Sequence, residues 1–393
     1  MSLKGLIKSG LVEKAYIVSL VVFVISSIMM SYFVYSNTMD VTALKVIRYF
    51  TLGVAILKIV IFDLRTYSKR RMALTAIVLL LLLISGLVSG SRALLWTAIM
   101  IVAAYRVDFK KMLRCLFIWE IILVIVLMLL SITGVIPDRV YYRGGQAIRH
   151  SLGFKYSTYI PLFFLTLSTI YLFLRKEQIK LYECITIVAV AIMIYVITDT
   201  RLEPALAVIL TAGLFLYNRI SGETYKKMIS GFAFVVVPVA VIISGFSIVL
   251  YDSNNDIWRS INGFTSGRLS LSSKVLKEYG VSVFGNNIQW VGLSNVYEGE
   301  NVRSEYNAVD NAYLRLLVQF GVVALMLFAC SQANLIGLAR VKADYRLQLI
   351  IALFVVFSIL NPHTYELAFC PFLLLLGGEN EGLEKKKVGN AEK

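Results

Sequence analysis

The stretch MALTAIVLLLLLISGLVSG, residues 72–90, follows the basic run Lys69-Arg70-Arg71 and decides the class of fold. An uncharged apolar run of this length is enough to cross the hydrocarbon core of a bilayer as one helix. Similar runs recur along the 393 residues, of which 58% are hydrophobic and only 16% charged. A soluble fold of this composition would have too little polar surface to cover its core. The sequence therefore predicts a polytopic membrane protein and excludes disordered, collagen-like, disulfide-rich secreted and nucleic-acid-binding proteins.

The apolar windows between clusters of charge predict an all-α bundle of about twelve transmembrane helices. The predicted spans are 15–35, 42–63, 72–90, 92–106, 112–134, 157–174, 181–199, 203–218, 228–251, 309–330, 346–360 and 363–378. The chain then divides into helices one to nine within 1–251, a large extracytoplasmic loop at 252–308, three further helices within 309–378, and a polar cytoplasmic tail at 379–393. The first run lacks a small-residue cleavage pattern, so we expect it to remain as a helix in the mature protein.

Positive charge orients this predicted bundle. If the N-terminus is cytoplasmic, 24 of the 39 Lys and Arg residues fall in inner segments, 12 in outer segments and three in the second helix. Lys and Arg in short loops resist translocation. The asymmetry therefore predicts a multi-pass protein with both termini in the cytoplasm.

The basic residues of the two sides differ in kind. Inner segments contain fifteen Lys and nine Arg, whereas outer segments contain nine Arg and three Lys. Topology does not favour one residue type over the other, but the planar guanidinium suits paired contacts with phosphate or carboxylate. Several arginines on one face predict a site for an anionic ligand, although any single one could be an arginine that snorkels at the interface.

Two outer loops are longer than a connection requires. The first, 134–156, carries Arg139, Arg143, Arg149 and His150. In the second, Thr265-Ser266-Gly267-Arg268 precedes apolar residues spaced as in a short amphipathic helix, which we expect Thr265 or Ser266 to cap. The N-terminus of such a helix, with Arg268 beside it, could bind an anion. The alternative is an ordinary surface helix.

The end of the large loop combines acidic, amide and basic side chains at the mouth of a predicted helix. These residues are Glu305, Asp310, Asn311 and Arg315. An acid in this setting could act as a general base, or it could be a salt-bridged cap. The two histidines and the four cysteines lack the company that a metal site or a disulfide framework needs. The sequence therefore predicts no metal and no other cofactor.

The order of several short motifs resembles the Wzy-type polymerases of capsule, exopolysaccharide and O-antigen synthesis, in the O-antigen polymerase and ligase superfamily. The motifs are Ser91-Arg92, Arg149-His150-Ser151-Leu152-Gly153-Phe154, Thr200-Arg201, Ser266-Gly267-Arg268-Leu269, Phe284-Gly285, Asp310-Asn311-Ala312-Tyr313-Leu314 and Phe320-Gly321. Two features depart from the family pattern: Asp310-Asn311 stands where many members carry His-Asn, and Tyr156-Ser157-Thr158 stands where Pro-Asn is usual.

The resemblance implies a GT-C-like, metal-independent glycosyltransferase of the bacterial cytoplasmic membrane. It would join polyprenyl-pyrophosphate-linked oligosaccharide repeat units on the outer face, and its partners would be the bilayer, a flippase and a chain-length regulator. By motif position, Asp310 and Arg268 would be catalytic, with Asp310 as the base. The substrate-binding residues would be Arg92, Arg149, His150, Arg201, Asn311 and Arg315. Guanidinium groups can stabilise the charge of a departing pyrophosphate without a metal.

Two other functions remain open at this point. A ligase that moves a finished glycan would use the same lipid carrier and the same outer cavity. A flippase or transporter of the lipid-linked unit is opposed by the single large outer loop and by the lack of repeated halves or obvious broken helices in the sequence.

Overall fold

A computed structural model describes residues 10–34, 40–143, 147–175, 178–220, 222–292 and 306–378. The predicted tail at 379–393 lies outside the described residues, as do Arg303 and Glu305 of the large loop. In chain order the first part contains α1 (Leu11–Ser31), α2 (Thr42–Lys58), α3 (Lys69–Val88), α4 (Ala93–Ala103), α5 (Phe109–Ile132), the strands β1 (Val140–Arg143) and β2 (Ala147–His150), and α6 (Tyr159–Leu174).

The second part begins with three long helices and ends in irregular chain. It contains α7 (Leu181–Thr198), α8 (Leu202–Arg219), α9 (Glu223–Val249), α10 (Asp256–Phe264), α11 (Arg268–Tyr279), α12 (Ala312–Arg315), α13 (Gly321–Val341) and α14 (Tyr345–Ser358). A π turn at Leu316–Phe320 joins α12 to α13, and a 3-10 helix at Pro371–Gly377 ends the described chain.

Among the residues that the structure describes, six helical units are long and apolar enough to cross a bilayer: α1, α3, α5, α7, α9 and the unit 312–341. The helices α4, α6, α8 and α14 are apolar but shorter. In α3 the large side chains of Leu74, Ile77 and Leu80 are exposed, whereas the small residues Ser85 and Gly86 are buried against the bundle. This inverted pattern suits a helix that faces lipid, because a lipid-facing surface has to be apolar. The helical membrane protein expected from the sequence is confirmed.

Contacts between connections gather at two ends of the bundle, as the pairs Tyr32–His363 and Arg71–Gly377 illustrate. We call the end that carries the β1–β2 hairpin and helices α10 and α11 the hairpin end. The basic clusters predicted to be cytoplasmic lie at the opposite end, where Lys111 pairs with Glu13 at 3.0 Å and the Arg71 guanidinium lies 4.1 Å from the centre of the Tyr105 ring. Which of the two ends faces the cytoplasm stays a prediction.

The last predicted span, 363–378, is not an α-helix. Residues 359–370 form turns, and a 3-10 helix follows from Pro371. The segment still passes through the bundle, because His363 lies beside Tyr32 at the hairpin end and the Gly377 carbonyl accepts a hydrogen bond from Arg71 at the opposite end. Most of its residues are buried, so its apolar composition reflects contact with protein rather than lipid. Non-helical backbone is tolerated at membrane depth when protein surrounds it.

The hairpin of β1 and β2 is a departure from the predicted all-α architecture. Its base is fastened to α1 by a tight turn in which Leu152 and Gly153 both have positive φ. The turn inserts Phe154, which is fully buried and forms a bridge with Phe33, while the Lys155 N–H donates to the Tyr32 carbonyl at 2.8 Å. The His-Ser-Leu-Gly-Phe motif therefore anchors the hairpin.

A second anchor holds the large loop against the interruption between α12 and α13. The Asn286 N–H donates to the Gln319 carbonyl at 3.1 Å, and the Val322 N–H donates to the Ser282 carbonyl at 3.0 Å. The contact brings the backbones of Gly285 and Gly321 together, and a Cβ atom at Gly285 would lie 2.0 Å from the Gln319 oxygen. The two Phe-Gly motifs of the sequence are thus partners across this contact.

Candidate functional site

The candidate site is centred on an ion pair between Arg268 and Asp310 at the hairpin end. Arg268 Nε donates to Asp310 Oδ2 at 2.8 Å, and the two side chains are 36% and 39% exposed. A pair this open to solvent contributes only about 0–1 kcal/mol to stability. The geometry of the pair is more informative than its contribution to stability. Because Arg268 bonds Asp310 through Nε, its terminal nitrogens remain available to a ligand.

Arg268 is positioned by the start of α11. The helix predicted after Gly267 is confirmed, but the predicted cap is wrong: Gly267 occupies the N-cap position with φ 83°. The backbone N–H of Ser270 is instead satisfied by the Asn262 side chain at 3.0 Å, and Thr265 donates back to carbonyls of α10. Because two left-handed residues in a row, Ser266 and Gly267, turn the chain sharply, α10 can cap α11.

Three hydrogen bonds made by its neighbours Asn311 and Tyr313 fix Asp310 on the other side of the pair. The next residue, Asn311, caps α12 by accepting from the Leu314 N–H at 3.0 Å, and its amide donates to Ser244 of α9 at 3.1 Å. Tyr313 is buried and donates to Gln332 at 2.9 Å. The Asp-Asn-Ala-Tyr-Leu motif therefore presents Asp310 from a firmly held turn, and the Asn311 side chain is occupied by these contacts.

A buried acid that the sequence reading did not single out lies beside the pair. Glu203, in the first turn of α8, is 4% exposed. It is within electrostatic reach of Arg268, Asp310 and Arg149. Its Oε2 atom is buried and has no hydrogen-bond partner among the described residues. The motif Thr200-Arg201 had drawn attention to this turn, but nothing in the sequence indicated that Glu203 rather than Arg201 points inward.

Arg149 connects the hairpin to the turn between α7 and α8. Its Nε donates to the Thr198 carbonyl at 2.9 Å, one terminal nitrogen donates to the Thr200 hydroxyl at 3.0 Å, and the other donates to the Tyr156 hydroxyl at 3.1 Å. The side chain is 9% exposed. Three of its donors are thus used within the protein, and they hold the turn that leads to Glu203.

Tyr306 completes the wall of the site next to Asp310. Burial raises the pKa of the Tyr306 phenol, and the neighbouring Asp310 carboxylate raises it further. The phenol therefore stays protonated at neutral pH and can donate a hydrogen bond to a ligand. Tyr156 and Arg268 are also within electrostatic reach of Tyr306, so aromatic and cationic groups adjoin here.

Arg315 belongs to a neighbouring aromatic cluster. Its guanidinium lies 5.1 Å from the centre of the Trp290 ring, and its Nε is buried without a hydrogen-bond partner among the described residues. Tyr159 is within electrostatic reach of both Asp310 and Arg315, so it links this cluster to the central pair.

Beyond Arg315 lies a network that the sequence did not indicate. Glu366 accepts a hydrogen bond from the Tyr32 hydroxyl and lies 2.9 Å from His363 Nδ1. Arg48 of α2 stacks over Trp96 at 4.0 Å and is within electrostatic reach of Glu366. Tyr32 and Arg48 lie more than 300 positions from Glu366 in sequence, and only the fold brings them together.

The other predicted site residues are less closely connected to the centre. His150 pairs with Asp138, whose second oxygen accepts from the backbone N–H groups of Ser151 and Leu152, so this pair supports the turn at the base of the hairpin. Arg92 and Arg201 are exposed at the starts of α4 and α8. Within the described ranges neither guanidinium forms a hydrogen bond or an ion pair.

The chain matches no protein-family model, no curated protein and no solved structure. The candidate site therefore rests on its geometry: acids and arginines from β2, α8, α11 and the turn before α12 meet at one end of a membrane-embedded bundle. Within the parts of the chain that the structure describes, no three His, Cys, Asp or Glu side chains form a group that could hold a metal ion.

Proposed function

We propose that this protein is a Wzy-type polysaccharide polymerase, a metal-independent membrane glycosyltransferase with a GT-C-like fold. The observation that carries the proposal is the convergence of Arg149, Glu203, Arg268 and Asp310 from four distant segments. A phosphorylated ligand provides a reason for arginines to gather where the membrane protein opens to water, because guanidinium groups bind phosphate oxygens in pairs.

The proposed reaction transfers a growing glycan from polyprenyl pyrophosphate to a hydroxyl group of a fresh lipid-linked repeat unit. The terminal nitrogens of Arg268 stabilise the negative charge that develops on the departing pyrophosphate. Arg315 is a second contact for the phosphates, and the tyrosines nearby offer faces for sugar rings. An acid of the site, with Asp310 as the candidate from its motif, takes the proton of the acceptor hydroxyl.

The proposal includes a location and partners. The hairpin end faces the outside of the bacterial cytoplasmic membrane, and both termini are cytoplasmic. A flippase supplies the lipid-linked units, a chain-length regulator acts on the product, and the reaction uses no cofactor. The Lys and Arg residues that lie at the opposite end of the bundle support this orientation.

One argument against a transporter no longer holds. The sequence suggested no broken helix, yet the unit 312–341 is interrupted by a π turn at 316–320, and the segment from His363 to Gly377 crosses the bundle as turns and a short 3-10 helix. Such interruptions occur at transport sites. A polymerase remains the better proposal because the charged groups of the candidate site lie at the hairpin end and a docked loop covers the interruption. A ligase would use the same site.

The length and location of the glycan in a deletion strain distinguish these functions. Loss of a polymerase leaves single lipid-linked repeat units outside the membrane. Loss of a flippase traps them inside, and loss of a ligase leaves long lipid-linked chains. Single units outside are the expected result, and either of the other two patterns would reject the polymerase.

A substitution at the central pair tests the site in the same strain. We expect Arg268→Lys to shorten the polymer without lowering the abundance of the protein, because one ammonium group cannot bond Asp310 and a phosphate with the geometry of a guanidinium. Arg259→Lys is the matched control, since Arg259 is exposed on α10 and, among the described residues, pairs with its neighbour Asp256 alone. Normal chain lengths in Arg268→Lys would remove Arg268 from the site.

A further inference from the structure

Glu203 has an environment that its position in the chain does not explain. An acid in the first turn of a helix is common, because it interacts favourably with the helix dipole. That interaction does not require burial, and burial of a carboxylate is costly unless the charge is compensated. Glu203 is nevertheless 4% exposed, and its Oε2 atom has no hydrogen-bond donor among the described residues.

The two acids of the site differ in how their oxygens are used. Asp310 Oδ2 accepts from Arg268 Nε at 2.8 Å, so this oxygen is already bonded to a cation. Glu203 Oε2 is unbonded and buried, and Arg268, Arg149 and the Asp310 carboxylate are all within electrostatic reach of the side chain. A carboxylate oxygen without donors is a better proton acceptor than one bonded to a guanidinium, because protonation does not have to break a hydrogen bond.

We propose that Glu203 is the general base of the transferase and that Asp310 is a positioning residue for Arg268. This inference rests on the proposed function. The acceptor hydroxyl oxygen forms a bond to C1 of the donor sugar, and the bond from C1 to the pyrophosphate oxygen breaks with its electron pair on the pyrophosphate. The hydroxyl proton passes to Glu203 Oε2 and then to water.

The arrangement assigns separate tasks to the two turns that meet at the site. The turn between α7 and α8, tied by Arg149, carries the base. The turn before α12, capped by Asn311, carries Asp310 and through it orients Arg268 toward the leaving group. The acceptor hydroxyl would then approach from the side of α8 and the pyrophosphate would leave on the side of α11.

The test uses the full-length protein in liposomes with lipid-linked repeat units of the producing strain. Glu203→Gln keeps the shape of the side chain and removes the base, so we expect kcat to fall at least about 100-fold with little change in KM. Asp310→Asn loosens Arg268, which holds the pyrophosphate before and during its departure, so we expect a higher KM for the lipid-linked donor together with a smaller fall in kcat than in Glu203→Gln. Glu120→Gln is the matched control, because Glu120 is a fully buried acid of α5 without a hydrogen-bond partner among the described residues, and we expect wild-type kcat from it.

The outcomes separate this inference from the function on which it rests. A wild-type protein that forms no polymer overturns both. Polymer from the wild type together with unchanged kcat in Glu203→Gln overturns only the role of Glu203, as does a reversal of the two effects between Glu203 and Asp310. If Glu203→Gln fails to fold, Glu203→Asp retains the charge but shortens the reach; a lower kcat with unchanged KM supports the role, and a wild-type kcat rejects it.

Discussion

Replacement of Gly285 by alanine is expected to destabilise the protein more than the same replacement at any other glycine that the structure describes. The new Cβ would lie 2.0 Å from the Gln319 oxygen and 2.5 Å from its carbonyl carbon, and Gly285 has φ 96°. A left-handed conformation costs a residue with a side chain about 1–2 kcal/mol, and overpacking adds about 1–3 kcal/mol. Since both obstacles are backbone atoms, the loop 282–287 has to leave its place.

Thermal unfolding of the purified protein in detergent measures this effect, and we expect a clearly lower Tm and poor recovery from the membrane. Gly321→Ala should behave alike, because its Cβ would lie 2.3 Å from the Val283 oxygen. Gly263→Ala is the control, since nothing lies within 4 Å of a Cβ at that position. An unchanged Tm for Gly285→Ala would mean that the loop does not dock on the helix interruption.

Arg149→Lys is expected to have the second large effect. The guanidinium makes three hydrogen bonds to Thr198, Thr200 and Tyr156 from a nearly buried position, and one ammonium nitrogen cannot reproduce them. At about 1 kcal/mol for each bond, their loss amounts to about 3 kcal/mol. We expect a lower Tm and a lower polymer yield together, because the turn that leads to Glu203 loses its hydrogen bonds to the Arg149 side chain.

This experiment also distinguishes two roles for Arg149. A residue that mainly contacts pyrophosphate would change the KM for the lipid-linked donor and leave the Tm unaltered. A residue that mainly ties the hairpin to the α7–α8 turn lowers the Tm even without substrate. Arg201→Lys is a suitable comparison, because Arg201 lies in the same turn but is exposed. Equal Tm values for Arg149→Lys and the wild type would contradict the structural role.

Much of the candidate site followed from residue type and spacing. Arg268, Asp310 and Arg149 were singled out, and the structure places them together; Arg315 lies one aromatic cluster away. Arg92 and Arg201 share the same residue type and the same kind of position, yet they are exposed. Residue type and topology place a charge near one end of a bundle, but they do not say toward which neighbour the side chain points.

The residues that the sequence missed were missed for two reasons. Glu203 was overlooked because an acid at the start of a helix is ordinary, and only its burial makes it notable. The network of Tyr32, His363 and Glu366 was overlooked because Tyr32 lies more than 300 residues from the other two in the chain. The helix predicted at 363–378 was wrong for a related reason: a strongly apolar segment looks the same whether lipid or protein surrounds it.

The amino-acid sequence by itself determined that this is a helical membrane protein whose connections alternate between two ends, because transfer of apolar runs and of charge into a bilayer depends on local composition. Only the tertiary structure decided that Arg149 is used in hydrogen bonds within the protein, whereas the terminal nitrogens of Arg268 are available to a ligand. It also decided that Asp310 is bonded to Arg268 while Glu203 Oε2 has no partner among the described residues, and that the two Phe-Gly motifs meet. These outcomes depend on the energies of contacts between segments that are distant in the chain, and a local sequence pattern does not predict those energies.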